Sequence, residues 1–172
     1  SIEKGNVVLP EFQRDFVWEI KKTCELFDSL VRDIFVGSII YGKPSFEISV
    51  REIDNRPRTG IGSRKKLNVT SIDSEELKQK NQITNFRLIL DGQQRVTSIY
   101  RALKGIDDIW FIIKNEEELD FEEERSLKEL SLEDWMYSFS IHEDEDRVSI
   151  RLSDVYIISQ GDLFDEEIKE SF

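Results

Sequence analysis

The segment "LILDGQQRVTSIY" (residues 88–100) changes near its centre from a pattern typical of a strand to one typical of a helix, and this change decides the fold around it. Leu88, Ile89 and Leu90 form an apolar run typical of a buried strand, which we expect over residues 85–90. From Gln93 onward the apolar residues recur at spacings of three and four, which predicts a helix that ends at Gly105. A strand is therefore expected to give way to a helix within two residues.

The residues at this junction are suited to binding an anion. The first amides of a helix have no partner within the helix and carry partial positive charge. Gly92 lets a ligand approach the backbone closely, and Arg95 offers two parallel donors to phosphate oxygens. Gln93 and Gln94 add amides for phosphate or water, and Asp91 suits Mg²⁺ or a ribose hydroxyl. The pattern favours a phosphate cradle at a helix N-terminus.

A simpler interpretation of the same residues stays open. Asp91 followed three residues later by Gln94 fits a capping box, in which both side chains serve the helix itself. That interpretation leaves Gln93 and Arg95 without a role. The chain has no Walker A sequence, so an ordinary P-loop is excluded.

A second segment, "LPEFQRDFVW" (residues 9–18), also places a glutamine beside an arginine, at Gln13 and Arg14. Aromatic side chains surround the pair and could stack on a base while the guanidinium binds phosphate. The alternative is that these aromatics, Phe12, Phe16 and Trp18, pack in the core and that Arg14 pairs with a carboxylate.

The net charge of −12 is unevenly distributed over the 172 residues. Residues 115–146 contain fourteen acidic and two basic residues and account for all of it. Residues 51–66 contain six basic and two acidic residues. These stretches are either solvated faces or, respectively, a surface for a basic partner and a phosphate-facing loop. The acidic total therefore does not exclude phosphate ligands.

Helical and alternating patterns are mixed along the chain, which predicts an α+β fold with a mixed, mostly antiparallel sheet and flanking helices. We expect a core over residues 1–114, with a mobile basic loop at about 54–84, and an acidic extension over 115–172. Some helix within that loop, around Ser74 to Lys80, stays open. The other predicted elements are strands at 6–9, 38–42, 46–53, 109–113 and 147–156, a hairpin at Pro44-Ser45, and helices at 17–32, 116–130 and from about 160.

Several classes of protein are disfavoured by composition. No apolar run is long enough to span a membrane, and no signal peptide is evident. A single cysteine, Cys24, excludes an internal disulfide and suits a reducing cytoplasm, and a single histidine, His142, makes a zinc site improbable. The first residue is not Met, and we expect a piece of a longer protein.

Taken together, the two Gln-Arg segments and "SLVRDIFVGSI" (residues 29–39) resemble the N-terminal domain family of GmrSD-type modification-dependent restriction proteins, known for an Asp-Gly-Gln-Gln-Arg signature. The resemblance covers about residues 5–104. It implies a ParB/sulfiredoxin-like fold and a place in phage defence or restriction-modification. It further implies nucleotide binding and NTP hydrolysis coupled to DNA cleavage by a nuclease domain outside this chain.

The resemblance also assigns roles to individual residues. Asp91, Gln93 and Arg95 would be catalytic, with Asp91 also holding Mg²⁺. The nucleotide's phosphates would be bound by Gln13, Arg14, Ser38, Gly92 and Gln94, and Trp18 would pack beneath them. The family's nucleases are of the His-containing HNH type, and this chain has no such motif.

Two further hypotheses stay open beside an NTPase. The cradle could hold a DNA phosphate in a non-catalytic binding module, with residues 51–66 following the DNA backbone. The domain could instead be a regulatory interaction module whose acidic stretch, residues 115–146, binds a basic partner.

Overall fold

The computed structural model describes residue 2 and residues 5–83, 85–113 and 137–159. Its four helices are α1 (Ile20–Val31), α2 (Ser74–Ile83), α3 (Gln93–Leu103) and α4 (Leu152–Ser159). The strands are β1 (Val7–Pro10), β2 (Ile40–Gly42), β3 (Ile48–Arg51), β4 (Val69–Ile72), β5 (Arg87–Asp91), β6 (Trp110–Ile113), β7 (Tyr137–Ser140) and β8 (Ser149–Arg151). The α+β fold is confirmed, and the ParB/sulfiredoxin likeness stays a prediction.

The chain divides into two compact units, which are described separately. The first unit comprises Ser1–Trp18 and Gly37–Ser98, and the second comprises Glu19–Val36 and Ile99–Phe172. This partition differs from the division expected at residue 114, because α1 groups with the later part of the chain. The acidic helix expected at 116–130 and the last helix from about 160 lie outside the described residues.

The first unit contains a five-stranded sheet in the order β2-β5-β1-β3-β4. β1 and β5 are parallel, and the other neighbours are antiparallel. On one face, Val8, Val50 and Leu88 pack with Leu77 of α2 and with Phe86. On the opposite face, Leu9 and Ile89 are fully buried. Both faces of the central strands are therefore covered.

Two sequence predictions about this sheet are wrong. The hairpin at Pro44-Ser45 does not form, because β2 pairs with β5 while β3 pairs with β1 and β4. The loop expected over 54–84 contains the strand β4, which was not predicted. The helix that was considered around Ser74 to Lys80 is present as α2. β4 was missed because its residues are mostly exposed and lack an apolar alternation, so its pairing with β3 leaves no local signal.

The second unit contains a three-stranded antiparallel sheet in the order β7-β6-β8. Its hydrophobic core consists of Cys24, Ala102, Ile109 and Leu152, and the partly buried ring of Phe139 packs against this cluster. The strand expected over 147–156 ends at Arg151, where α4 begins. Among the described residues, no helix has the length and apolar character needed to cross a bilayer.

Candidate functional site

The start of α3 opens directly onto a polar pocket. β5 ends at Asp91, Gly92 follows with a left-handed φ of 86°, and α3 begins at Gln93. The first hydrogen bond of the helix runs from the Val96 amide to the Gly92 carbonyl at 3.0 Å. Gly92 thus makes the sharp turn that the handover requires. The amides of the first helical turn have no partner within the helix.

The pocket holds about 280 Å³ and is formed within the first unit. It brings together the two Gln-Arg segments that the sequence singled out, although about 75 residues separate them. Its lining comprises Gln13, Arg14, Trp18, Leu90, Asp91, Gly92, Gln93, Gln94 and Arg95. Of the predicted site residues, only Ser38 does not line it, and the carbonyl of Ser38 contacts Arg95.

The guanidinium of Arg95 is held between two glycines. Its Nη2 donates to the Ser38 carbonyl at 2.6 Å and lies 3.7 Å from the Asp91 carboxylate. A Cβ at Gly37 would lie 3.1 Å from Nη1, and one at Gly92 would lie 3.3 Å from Nη2. Both glycines therefore make room for this side chain. Its Nε is buried without a hydrogen-bond partner among the described residues.

The side chains of Gln93 and Gln94 at the start of α3 hydrogen-bond to the backbone of residues 14–18. Gln94 accepts hydrogen bonds from the Val17 and Trp18 amides at 3.0 and 3.3 Å and donates to the Asp15 carbonyl at 3.0 Å. Gln93 donates to the Arg14 carbonyl at 2.7 Å. The capping-box interpretation of Gln94 is therefore wrong, because its side chain binds residues 15–18 rather than the helix start.

Arg51 holds the same segment from β3, and sequence reasoning missed it. The alternation of β3 placed Arg51 on a solvated face, yet it is only 7% exposed. It forms an ion pair with Asp15 and donates to the Gln13 and Arg14 carbonyls. The register with buried Leu9 explains this, because both residues lie on the face that residues 13–18 cover. Nothing local in the sequence marks Arg51 as buried.

Gln13 and Arg14 line the pocket from the segment after β1. The Gln13 side-chain amide donates to the Ile89 and Leu90 carbonyls at 2.7 and 3.1 Å, which anchors it to β5. Its Oε1 is buried without a hydrogen-bond partner among the described residues. Arg14 is exposed, and within the described part of the chain its side chain forms no hydrogen bond or ion pair. The alternative that Arg14 pairs with a carboxylate is not supported.

The aromatic residues of the segment divide into different environments. Phe12 is 80% exposed, so it is not a core residue. The guanidinium carbon of Arg58 lies 5.3 Å from the centroid of the Phe16 ring. Arg58 also donates a hydrogen bond to the Trp18 carbonyl at 2.7 Å. Trp18 is half-buried and lines the pocket.

The basic stretch 51–66 is less available than its composition suggests. Arg51 and Arg58 bind the 13–18 segment, and Arg56 binds Asp54 and the Lys65 carbonyl. The hydrogen bonds that Arg56 donates to the Asp54 carboxylate raise the pKa of Arg56 above its ordinary value. Three of the six cations, Arg51, Arg56 and Arg58, therefore bind the protein itself, although Arg58 is exposed. The exposed cations for which the structure gives no such contact are Arg64, Lys65 and Lys66.

A comparison with protein families bears on this arrangement. The model of the GmrSD restriction endonuclease N-terminal domain matches residues 1–171. The chain belongs to this family. This GmrSD N-terminal domain is also 35% identical over 103 residues to MJ0686, an uncharacterized protein of Methanocaldococcus jannaschii. The match covers 58% of the chain and 15% of that relative's length. No solved structure matches the chain.

Proposed function

We propose that this domain binds the phosphates of a nucleoside triphosphate in the pocket at the start of α3. The observation that carries the proposal is that two arginines line one polar pocket at the N-terminus of α3. Arg95 lies in the first turn of the helix, and Arg14 lies in the segment after β1. Arg14 has no side-chain partner among the described residues, and the Arg95 side chain is 21% exposed and lines the pocket. A bound phosphate would supply both with acceptors.

The size of the pocket fits this assignment. At about 280 Å³ it lies just below the range of roughly 300–1,000 Å³ typical of sites for whole small molecules. It suits the phosphate end of a nucleotide and leaves the nucleoside outside. Gln93 and Gln94 are tied to the backbone of residues 14–18, so in this proposal they position Arg14 rather than contact phosphate.

The residues present also fit a magnesium ion. Among the described residues, no group of three or more Asp, Glu, Cys or His side chains could hold a metal by itself, so the ion would also need ligands from the nucleotide and from water. Mg²⁺ is commonly held by one or two carboxylates together with substrate phosphates and water, and Asp91 offers one carboxylate that is 66% exposed. The ion would supply neutralisation of charge on the phosphates.

Hydrolysis would then require little covalent chemistry from the protein. Arg95 would stabilise the charge that develops on the transferred phosphoryl group, and its hydrogen bond to the Ser38 carbonyl holds its guanidinium in place. The attacking water would be oriented by a pocket side chain that it can reach, and Asp91, whose side chain is 66% exposed, meets that condition. In the full-length protein, this cycle would regulate a nuclease domain acting on DNA in restriction and phage defence.

Phosphate release from ATP, GTP, CTP and UTP tests the hydrolysis step. We expect release from at least one nucleotide with Mg²⁺, and loss of release with EDTA or in Asp91→Asn. The exposed position of Asp91 makes this substitution neutral for folding, and Glu52→Gln, at an exposed carboxylate that lines neither cavity of the first unit, is a matched control. Release that is equal in Asp91→Asn and wild type would contradict the role of Asp91.

A DNA-phosphate site is the second candidate, favoured by the three exposed cations Arg64, Lys65 and Lys66. DNA binding that falls steeply with added salt and is unaffected by nucleotide would support it. Fluorescence anisotropy with a labelled duplex at two salt concentrations distinguishes it from the nucleotide site, because Arg64→Ala should then weaken DNA binding and leave nucleotide binding unchanged.

A further inference from the structure

A second, larger groove lies beside the polar pocket in the first unit. It holds about 710 Å³, within the range of small-molecule sites, and is mostly apolar. Its floor is the sheet face that carries Pro10, Ile48, Leu88 and Leu90. The proposed phosphate site does not use this groove.

The groove and the polar pocket meet at Leu90, which lines both. Gly42 makes room for this side chain, because a Cβ there would come within 2.8 Å of Leu90 Cδ1. Leu88 lines the groove and Asp91 lines the pocket, three residues apart on β5, or about 10 Å along the strand. The two cavities therefore adjoin at the C-terminal end of β5, where Leu90 lines both.

The loop after β1 also joins the two cavities. Phe12 lines the groove, whereas Gln13 and Arg14 line the polar pocket. Because the Gln13 side chain is bonded to the Ile89 and Leu90 carbonyls, the position of Phe12 is fixed relative to the phosphate cradle. A nucleotide needs this order, with an aromatic contact at one end and cations at the other.

Two aromatic rings are exposed at the groove. Phe12 is 80% and Phe46 is 65% exposed, although each lines a cavity of ligand size. Exposed aromatic faces beside a polar site are a common platform for stacking a base. The rim adds the exposed charged side chains of Lys43 and Glu47, which can donate to and accept from the edge of a base.

We propose that this groove is the nucleobase subsite, in which Phe12 and Phe46 hold the base of the nucleotide whose phosphates occupy the cradle at α3. The inference rests on the proposed function, since it assigns the other end of the same ligand. It implies that the nucleoside contributes to affinity, and that inorganic tripolyphosphate binds through the cradle alone.

Calorimetric titration of the 172-residue chain with tripolyphosphate and with each of the four nucleotides tests this. Phe12→Ala/Phe46→Ala should weaken nucleotide binding by at least about fivefold and leave tripolyphosphate binding unchanged. Phe12→Trp should retain nucleotide affinity, because it keeps a ring. Phe35→Ala is the matched control, since Phe35 is 83% exposed and does not line the groove.

The outcomes separate the two proposals. If all four nucleotides bind no tighter than tripolyphosphate, or if the double variant binds them as wild type does, the base subsite is wrong and the phosphate cradle stands. If the folded wild type binds neither tripolyphosphate nor any nucleotide, the cradle is wrong, and the base subsite fails with it.

Discussion

The hydrogen bonds of Gln94 give a quantitative prediction about what holds the site together. Gln94→Met keeps the volume of the side chain but removes three hydrogen bonds to the segment 15–18, whereas Gln93→Met removes one. Both glutamines are buried, at 7% and 8% exposure, and α3 accommodates Met at either position. The two substitutions therefore differ mainly in the number of bonds lost.

At about 1 kcal/mol for each bond, we expect Gln94→Met to lower the free energy of unfolding by about 3 kcal/mol and Gln93→Met by about 1 kcal/mol. With a urea dependence of about 2 kcal/mol per molar, the midpoints would fall by about 1.5 M and about 0.5 M. Urea titrations followed by tryptophan fluorescence and by circular dichroism would measure both shifts.

The comparison between the two variants is the decisive quantity. If Gln94 merely capped its own helix, the segment 15–18 would not depend on it, and the two midpoints would fall by similar small amounts. Equal shifts would therefore refute the claim that Gln94 fastens this segment. A change in the urea dependence itself would indicate altered compactness rather than lost bonds.

Three further predictions concern other parts of the molecule. Gly92→Ala should destabilise the protein by about 1–3 kcal/mol, because its φ of 86° is strained for other residues; an unchanged urea midpoint would contradict this. Arg101→Met should cost about 3–5 kcal/mol, since it leaves Asp107 buried without its ion-pair partner; a stability equal to wild type, by the same titration, would be incompatible with that pair. Burial raises the pKa of the Cys24 thiol, so its thiolate fraction is lower than that of an exposed cysteine at the same pH. Iodoacetamide should modify Cys24 slowly in the native chain, and the modification rate should still rise at pH values where the rate for an ordinary thiol is constant. Modification as fast as in the urea-unfolded chain would contradict this.

Local patterns were sufficient to predict most of the elements that carry the site. The apolar run ending at Leu90 and the helical spacing after Gln93 placed β5 and α3 within one or two residues of their bounds. Gly105 ends the helix region as expected, with a φ of 64° and its amide bonded to the Ala102 carbonyl. These features depend on neighbours in sequence, so sequence reasoning can reach them.

Features that depend on distant pairing were not predictable. β2 and β3 are neighbours in sequence, yet β2 pairs with β5, and only the tertiary fold decides this. Arg51 alternates with apolar residues as a solvated side chain would, and it is buried because a segment about 35 residues earlier covers it. Likewise, the sequence singled out Gln93 and Gln94 but did not reveal that their side chains bind the backbone of residues 14–18.

The most direct test of the central claim is calorimetric titration of ATP, GTP, CTP and UTP into the wild type, with and without Mg²⁺, beside Arg95→Ala and Arg14→Ala. Arg14→Ala is the cleaner variant, because its exposed side chain has no partner among the described residues and its loss should not disturb folding. Arg64→Ala, which removes an exposed cation outside the pocket, is the matched control.

We predict that the wild type binds at least one nucleotide and that Arg64→Ala binds it equally well. Arg95→Ala should bind it at least about tenfold more weakly, since it loses a charge-assisted pair of hydrogen bonds to phosphate, and Arg14→Ala should also lose affinity. If both pocket variants bind every nucleotide as tightly as the wild type does, the phosphates do not lie at the start of α3 and the proposed phosphate site is wrong.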